Sequence, residues 1–567
     1  MFLQSKHSVI FGILLILFSN LATAQSDYIP LHHKQYTLFD RLDIKTANDS
    51  IFGFSTMKTF NRRAFTNRVQ EIDSLDKAAI LPFSLSKIDR HNIQQLLMAN
   101  NEWSNYDATH AKKKGLWNTF YRNNGNMYQV KTHEFHMSVN PVLNLTFGNT
   151  NDGTGRTYIN TRGILVRGHV NKQIGFYTFF SENQEITPDY VRQWERTFSS
   201  LPGMGYYKKG TSINNDNRIF DYFDSRGGFT FNGGKHFDFT FGYDKLFLGN
   251  GIRSLMLSDF SAPYLFLRAR ARVWKFDYQN IFAQMVETHR RTGDFLRPQK
   301  FMAMHHLSYQ VSKRLNIGLY ENVMFGRANG FELSYLNPVI FYRSVEQQLG
   351  SPDKVTVGLD FKSNLAKKFQ LYGQLVITEF VASEVLNYRR GDWRNKHAAQ
   401  LGAKYIDAFG VNNLDLQFEY NWLRPFTYTH RDSTGVFAHY NQPLAHPLGA
   451  SVREIVAQVR YQPLPKLFVF ARAINYLHGT DPAGQNWGGN IFLPYNLRTQ
   501  SQGIFVGDKI PQQTFFMDAN ISYELIENIF FDVNAQLRRT QLNGVNTNHN
   551  FFSVGIRANV QRRTYEF

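Results

Sequence analysis

The chain has 567 residues, a formal net charge of +18 and no cysteine. The lack of cysteine excludes disulfide bonds, thiolate metal sites and a cysteine nucleophile. The positive charge favours acidic partners such as phosphorylated lipid headgroups or acidic polysaccharide, and the aromatic content of 15% favours strands over helical bundles.

Residues 1–24 have the pattern of a secretory signal peptide. Lys6 and His7 lie in a short polar start, the apolar core VIFGILLILF follows, and Ala22 and Ala24 are small residues near a cleavage site. An uncleaved membrane anchor is the alternative, but this apolar run is shorter than the roughly 20 residues that a spanning helix needs. We therefore expect an exported protein that begins at Gln25 and has no nucleic-acid partner.

Residues 25–125 form a separate N-terminal region in which helices are predicted. Ser86 and Asp89 have the spacing of a capping box at the start of a helix over about 87–100. A second helix is predicted near 60–73. We expect a periplasmic helical element that caps or plugs the rest of the protein, and a linker is the alternative.

Residues 126–567 have the alternation of a transmembrane β-barrel. In VNNLDLQFEYNW, over 411–422, apolar and polar residues occupy opposite faces of one strand, and the pattern returns at 529–538 and 552–561. These segments have about the nine to eleven residues that a tilted strand needs to cross a bilayer. The sequence thus predicts an all-β protein, an antiparallel outer-membrane barrel of about 18 strands.

The connections between these strands alternate between short and long, as transmembrane barrels require. Short turns, expected on the periplasmic side, are read at 171–173, 232–235, 275–276, 312–314, 366–368, 407–413, 463–466 and 526–528. Long external loops are read at 183–225, 247–263, 287–301, 327–353, 381–395, 426–451, 478–513 and 540–550.

The last residue, Phe567, is an aromatic of the kind that barrel-assembly machinery favours at the end of a final strand. The preceding RRTYE breaks the alternation of that strand.

Arg268, Arg270 and Arg272 lie within the strand LRARARVW and are predicted to point into the lumen about 7 Å apart. Such a ladder could bind acidic sugars or draw anions inward. The alternative is a structural network in which these arginines pair with inward acids such as Asp415 and Glu419 and fill the lumen.

Aromatic and histidine residues of the external loops are further candidate ligand contacts. Trp393 and Trp487, near arginines, could stack on sugar rings, or they could belong to the aromatic girdle at the membrane interface. His439 and His446, in HYNQPLAHPLGA, lack a metal-ligand spacing. Pro443 and Pro447 predict a rigid loop there, folded inward or on the surface.

The sequence predicts no metal site, no cofactor and no enzymatic activity. His305 and His306 are adjacent in a strand and so point to opposite faces, which prevents them from sharing one ion. Ser308 and His306 lie on one face, but no acidic partner completes a hydrolase triad.

The segment FGYDKLFLGNGIRSLMLSDFSAP, at 241–263, resembles the Wzi-type capsule-assembly family. The matching positions are Gly249, Gly251, Ser254, Leu255, Leu257, Ser258 and Pro263, whereas Asn250 stands where that family has a proline. LGSPDKVTVGLDFK, at 349–362, is similar too. The resemblance implies an 18-stranded outer-membrane barrel with a periplasmic helical bundle.

Other segments, including SYLNPVIFYRSVEQQLGSPD and HYNQPLAHPLGA, resemble a Bacteroidota branch of this family that includes the gliding-motility protein RemB. The resemblance implies a barrel that organises surface polysaccharide or supports gliding motility and adhesion. Its partners would be outer-membrane lipid and lipopolysaccharide, acidic surface polysaccharide, and other envelope or motility proteins. The alternative is an anion-leaning porin.

Overall fold

A computed structural model describes most of the chain and shows a closed antiparallel barrel. The described residues are 26–47, 49–106, 125–210, 216–287, 296–328, 330–379, 381, 383 and 388–567, so the predicted signal peptide lies outside them. The last barrel strand pairs with the first through Phe551 and Thr150, which closes the wall. The prediction of about 18 strands is confirmed.

The 18 wall strands, numbered in chain order, all pair antiparallel with their neighbours. They are β1 Phe135–Thr150, β2 Gly155–Val170, β3 Ile174–Ile186, β4 Ile219–Asn232, β5 Phe237–Asp244, β6 Tyr264–Val273, β7 Phe276–Val286, β8 Gln299–Gln310, β9 Leu315–Phe325, β10 Lys354–Leu365, β11 Phe369–Glu379, β12 Lys396–Tyr405, β13 Leu414–Leu423, β14 Val452–Leu464, β15 Leu467–Thr480, β16 Ile510–Ile526, β17 Ile529–Leu542 and β18 Val545–Ala558.

The strands place apolar side chains outside and polar side chains inside. On β13, Phe418 and Tyr420 are exposed on the outer wall, whereas Asp415, Glu419 and Asn421 are buried in the lumen. This arrangement is the reverse of a water-soluble sheet and is typical of a barrel that faces lipid. Among the described residues, no helix is long and apolar enough to cross a membrane.

All eight predicted short turns occur, and they lie at one end of the barrel, here called the short-turn end. Seven of the predicted long loops lie at the opposite end, the long-loop end. The eighth, 540–550, is wrong, because β17 and β18 continue to Leu542 and Val545. Asn543 and Gly544 form a two-residue hairpin turn there, both with positive φ, as a type I′ turn requires.

Three helices precede the wall: α1 Gln35–Thr46, α2 Arg62–Lys77 and α3 Lys87–Ala99. The capping box at Ser86 and Asp89 is present at the start of α3. The second predicted helix is α2, which Asn61 caps through the Ala64 N–H, and α1 was not predicted. Their shared core of Phe39, Phe65 and neighbouring apolar side chains excludes the alternative of a linker.

These helices form the helical element, which sits in the lumen at the short-turn end. Arg41 of α1 lies 2.8 Å from both Asp89 of α3 and Asp407 of a short turn, and 2.5 Å from Asp415 of β13. Lys34 pairs with Glu527 of another short turn. Ion pairs therefore join the element to the mouth of the barrel.

Two loops and the tail fill the lumen above the helical element. The loop 245–263 pairs with it through Met57 and Leu248 and, on its other side, donates the Ser258 N–H to Leu444 O of the loop 424–451. The tail 559–567 turns inward after Ala558, and Phe567 packs against Trp194, which lies in α4, Asp189–Phe198. Phe567 thus lies inside the lumen and does not end the final wall strand, in agreement with the broken alternation of RRTYEF.

Candidate functional site

A cavity of about 740 Å³ lies in the lumen between the helical element, the loop 245–263 and the tail. Fourteen Lys and Arg side chains line it, against six Asp and Glu side chains. Since cavities of roughly 300–1,000 Å³ hold small ligands, the size suits one or a few sugar units. The charge of the lining favours an anion.

Most of these cations already have a carboxylate partner. Arg62 pairs with Asp27 at 2.9 Å, and Arg253 pairs with Glu454 at 3.0 Å. Among the described residues, three lining cations have no carboxylate within 4.0 Å, namely Lys58, Lys245 and Arg268. These three, the unpaired cations, are the groups in the cavity whose charge is least neutralised.

Arg268 is 2% exposed, and the contacts of its guanidinium with described residues are with the neutral Tyr28, Thr59 and Thr240. Its guanidinium lies 4.5 Å from the Tyr28 ring and donates to Thr59 Oγ1 at 2.8 Å. The Tyr28 face stabilises the cation without neutralising it. Arg268 therefore lies beside the cavity without a carboxylate partner among the described residues.

Lys58 and Lys245 lie on segments inside the lumen, each with a carbonyl as acceptor. Lys58 Nζ donates to Ser55 O at 2.9 Å, and Lys245 Nζ donates to Asp259 O at 3.2 Å. Burial lowers the pKa of Lys58 to about 7 and that of Lys245 to about 8. A bound anion would favour the protonated, charged form of both side chains.

The other two arginines of the ladder point inward as predicted, but they pair with an acid that was not foreseen. Arg270 and Arg272 both contact Asp277 of β7. The expected partners Asp415 and Glu419 are engaged elsewhere. Asp415 contacts Arg41, and Glu419 accepts the backbone N–H groups of Ile252 and Arg253.

The Gly249–Ser258 motif forms the middle layer of the lumen. A Cβ at Gly251 would meet the backbone Arg253 O at 2.9 Å as well as the end of the Glu419 side chain, so a larger residue would force both to shift. Ser254 Oγ accepts the N–H groups of Met256 and Leu257, which folds the motif compactly. Asn250 donates to Thr56 Oγ1 and thereby ties the motif to the helical element.

His439 and His446 are buried in the loop 424–451, which folds inward. His439 Nδ1 accepts the Val286 N–H at 2.9 Å, and its Nε2 faces Pro263 O at 3.1 Å. His446 Nε2 donates to Glu454 at 2.9 Å. Both rings have structural partners, and the described residues contain no group of three side chains that could hold a metal.

Trp393 and Trp487 join an aromatic cluster at the long-loop end. The Trp393 ring has Lys396 at 4.4 Å and Arg498 at 4.2 Å, with the Tyr495 ring 5.1 Å away. Trp487 packs in the same cluster beneath Lys509. Both tryptophans thus lie among loop residues with cations stacked on their rings, and they are not brought to the cavity.

The tail also lines the cavity, which was not predicted from the sequence. Arg562 pairs with Asp518 of β16, and Arg563 lies 3.4 Å from Glu185 of β3. The paired arginines of RRTYEF, which break the alternation of the final strand, were the available signal that this segment leaves the wall.

No protein-family model and no curated protein sequence matches the chain. Among solved structures it is similar to Wzi of Escherichia coli, described as a carbohydrate-binding outer-membrane β-barrel involved in group 1 capsule assembly. The TM-score is 0.51 at 12% identity, over 95% of this chain and 100% of that chain. At this identity the likeness shows a shared fold.

Two further barrels are similar over a smaller part of the chain. OprD of Pseudomonas aeruginosa has a TM-score of 0.40 at 11% identity, over 74% of this chain and 94% of that chain. OccAB2 of Acinetobacter baumannii has a TM-score of 0.40 at 10% identity, over 74% and 97%.

Proposed function

We propose that this protein is a non-catalytic outer-membrane barrel that binds acidic surface polysaccharide in its lumen. The observation that carries the proposal is the excess of cations around the cavity, with the three unpaired cations among them. Carboxylate groups of uronic acids accept hydrogen bonds from arginine and lysine at short distances. The shared fold with a carbohydrate-binding barrel supports the same function.

The topology supports an orientation in the membrane. Bacterial barrels place short turns in the periplasm and long loops outside. The helical element then faces the periplasm, and the aromatic cluster around Trp393 faces the cell surface, where it would meet incoming glycan. We propose the division into a cleaved signal at 1–24, a periplasmic region at 25–125 and a barrel at 126–567.

Binding in the cavity is tested with an acidic polysaccharide and a neutral one of similar length. Retention of polygalacturonate is expected to fall on Lys58→Gln, Lys245→Gln and Arg268→Gln in combination, because the variant removes the charges that lack carboxylate partners. The matched control changes Lys172, Lys235 and Lys313, exposed in short turns, to Gln. Equal retention by both variants would refute the cavity as the site.

An anion-leaning porin is the second candidate, since the same basic lining would attract small anions. The helical element, the loop 424–451 and the tail occupy the lumen and oppose a wide pore. Single-channel recording decides between the two. A steady open conductance with anion selectivity would favour the porin, and its absence would favour binding.

The cellular role is proposed from the resemblance to the capsule-assembly family and its motility branch in Bacteroidota. The expected partners are outer-membrane lipid, lipopolysaccharide and other envelope or motility proteins. A deletion strain would be scored for capsule retention and for gliding. Normal results in both assays would refute the role in surface organisation.

A further inference from the structure

Three polar side chains lie in one row on the outer wall of the barrel, where apolar side chains are expected. Asn280 of β7 is in register with His305 of β8, and His305 is in register with Glu321 of β9. The row continues into Ala269 on one side and Val357 on the other. In lipid each unsatisfied polar group of this row would be strongly unfavourable.

The row is covered from outside by part of the loop 326–353. Residues 331–349, here called the strap, contain the short helix α5, Tyr342–Gln348, and fold down over β8 and β9. Outward-facing Ala303 and Val323 are fully buried beneath it, together with Tyr335 and Tyr342 of the strap itself.

Polar contacts fix the strap to the row. Glu321 accepts the backbone N–H groups of Tyr342 and Arg343, both at 3.0 Å. The Tyr342 ring lies 3.9 Å from the His305 ring. Tyr278 donates to Pro338 O, and Tyr335 donates to Asp353 at 2.7 Å just after the strap. The strap therefore satisfies the Glu321 carboxylate and the Tyr278 hydroxyl, and its Tyr342 ring covers His305.

The strap exposes several large apolar side chains. They include Leu333 at 72%, Leu336 at 42%, Val339 at 82% and Phe341 at 78%, and exposed polar residues such as Asn337, Arg343 and Gln347 lie among them. Beside the covered row, the outer wall is apolar and exposed at Val357, in register with Glu321, and at the neighbouring pair Leu319 and Leu359. A contiguous apolar patch of this kind marks an interaction site.

We propose that the strap is a lipid-contacting surface whose apolar face lies among acyl chains of the outer leaflet. It covers a polar part of the barrel wall with apolar side chains, while Glu321 is bound underneath. The inference rests on the outer-membrane location proposed above, and it is independent of what the lumen binds.

The absence of cysteine allows each position to be labelled singly with a fluorophore in the full chain. Val339→Cys and Phe341→Cys report on the strap. Leu401→Cys, exposed on β12, reports on the wall, and Ile80→Cys, exposed on the helical element, reports on water. Each labelled protein is reconstituted into bilayers of phospholipids brominated in their acyl chains, which quench fluorophores that contact them.

We expect losses of emission at Val339→Cys and Phe341→Cys about as large as at Leu401→Cys and well above that at Ile80→Cys. Strap positions that behave like Ile80→Cys, while Leu401→Cys is quenched, would overturn the proposal. If Leu401→Cys is not quenched, the membrane location and the proposal fail together. A disulfide-linked dimer of unlabelled Val339→Cys in the bilayer would assign the surface to a second copy instead.

Discussion

The two ends of the lumen are filled by different means. At the short-turn end, a separate folded element is held through ion pairs such as those of Arg41 and Lys34 with turn carboxylates. At the long-loop end, the loop 424–451 is continuous with the wall and is buried in an extended apolar core. The helical element therefore has its own apolar core and depends on ion pairs to remain docked. The inward loop instead shares the apolar core of the barrel.

The largest effect on the short-turn end is expected from Arg41→Ala. Removing one partner of a buried ion network typically costs about 3–5 kcal/mol, and here it leaves the carboxylates of Asp89, Asp407 and Asp415 without their shared cation. We expect the helical element to become sensitive to protease while the barrel stays intact in unheated gels. Arg90→Ala, at an exposed pair with Asp76, is the control and should change little.

Low pH should also weaken the docking of the helical element at the short-turn end. Burial raises the pKa of Asp89, but the cations Arg41 and Lys45 lower it by a larger amount, so that the pKa is about 2. Because this pKa lies below the ordinary value near 3.8, the stabilisation is complete above about pH 4 and is lost as pH falls towards 2. Protease sensitivity of the helical element measured across this range should rise only at its acid end.

At the long-loop end, Glu454→Gln should have a smaller effect. Glu454 accepts from His446 and pairs with Arg253 of the middle layer. Since a hydrogen bond to a charged group contributes roughly 1.5–3 kcal/mol, we expect a looser loop 424–451 that the apolar core still retains. Brief channel openings absent from the native protein would report the loosening, and unchanged recordings would contradict it.

Ligand binding should depend on pH through the cavity lysines. An anion binds the protonated amines, so affinity should increase as pH falls through about 8 and then about 7, the pKa values of Lys245 and Lys58. The gain is at most about 1.4 kcal/mol per pH unit for each proton taken up. Titration calorimetry in buffers of different ionisation enthalpy would reveal the proton uptake, and pH-independent binding would count against these lysines.

The smallest expected effect is that of Ser86→Ala. Ser86 caps α3 through the Asp89 N–H and also donates to Asn413 of a short turn. Loss of an N-cap typically costs about 1 kcal/mol. Hydrogen exchange in the first turn of α3 should increase, without release of the helical element.

The wall was predictable because strand alternation and turn chemistry are local. The pairing of Arg272 with Asp277 could also have been predicted from the sequence, because the tight turn at 275–276 places the two residues opposite each other in register. The loop 540–550 was misread because polar residues occupy both faces of the strands there. A polar two-sided segment carries no alternation, even when the Asn543-Gly544 turn extends the hairpin.

What fills and covers the barrel could not be predicted, because it depends on contacts between distant segments. Nothing local in Lys58 or Lys245 indicates that their side chains lack carboxylate partners. The strap was read as part of a long external loop, since its apolar residues follow no regular period. Its role becomes visible only when Glu321 and His305 are seen on the outer wall beneath it.

The projecting hairpin of β17 and β18 has a practical consequence. A Cβ built at Gly544 has no atom of the described residues beyond its chain neighbours within 4 Å, and the residues around the turn are exposed. An epitope inserted between Asn543 and Gly544 would leave the packed interior undisturbed. Antibody labelling of intact cells at this tip would then show whether the long-loop end is exposed at the cell surface.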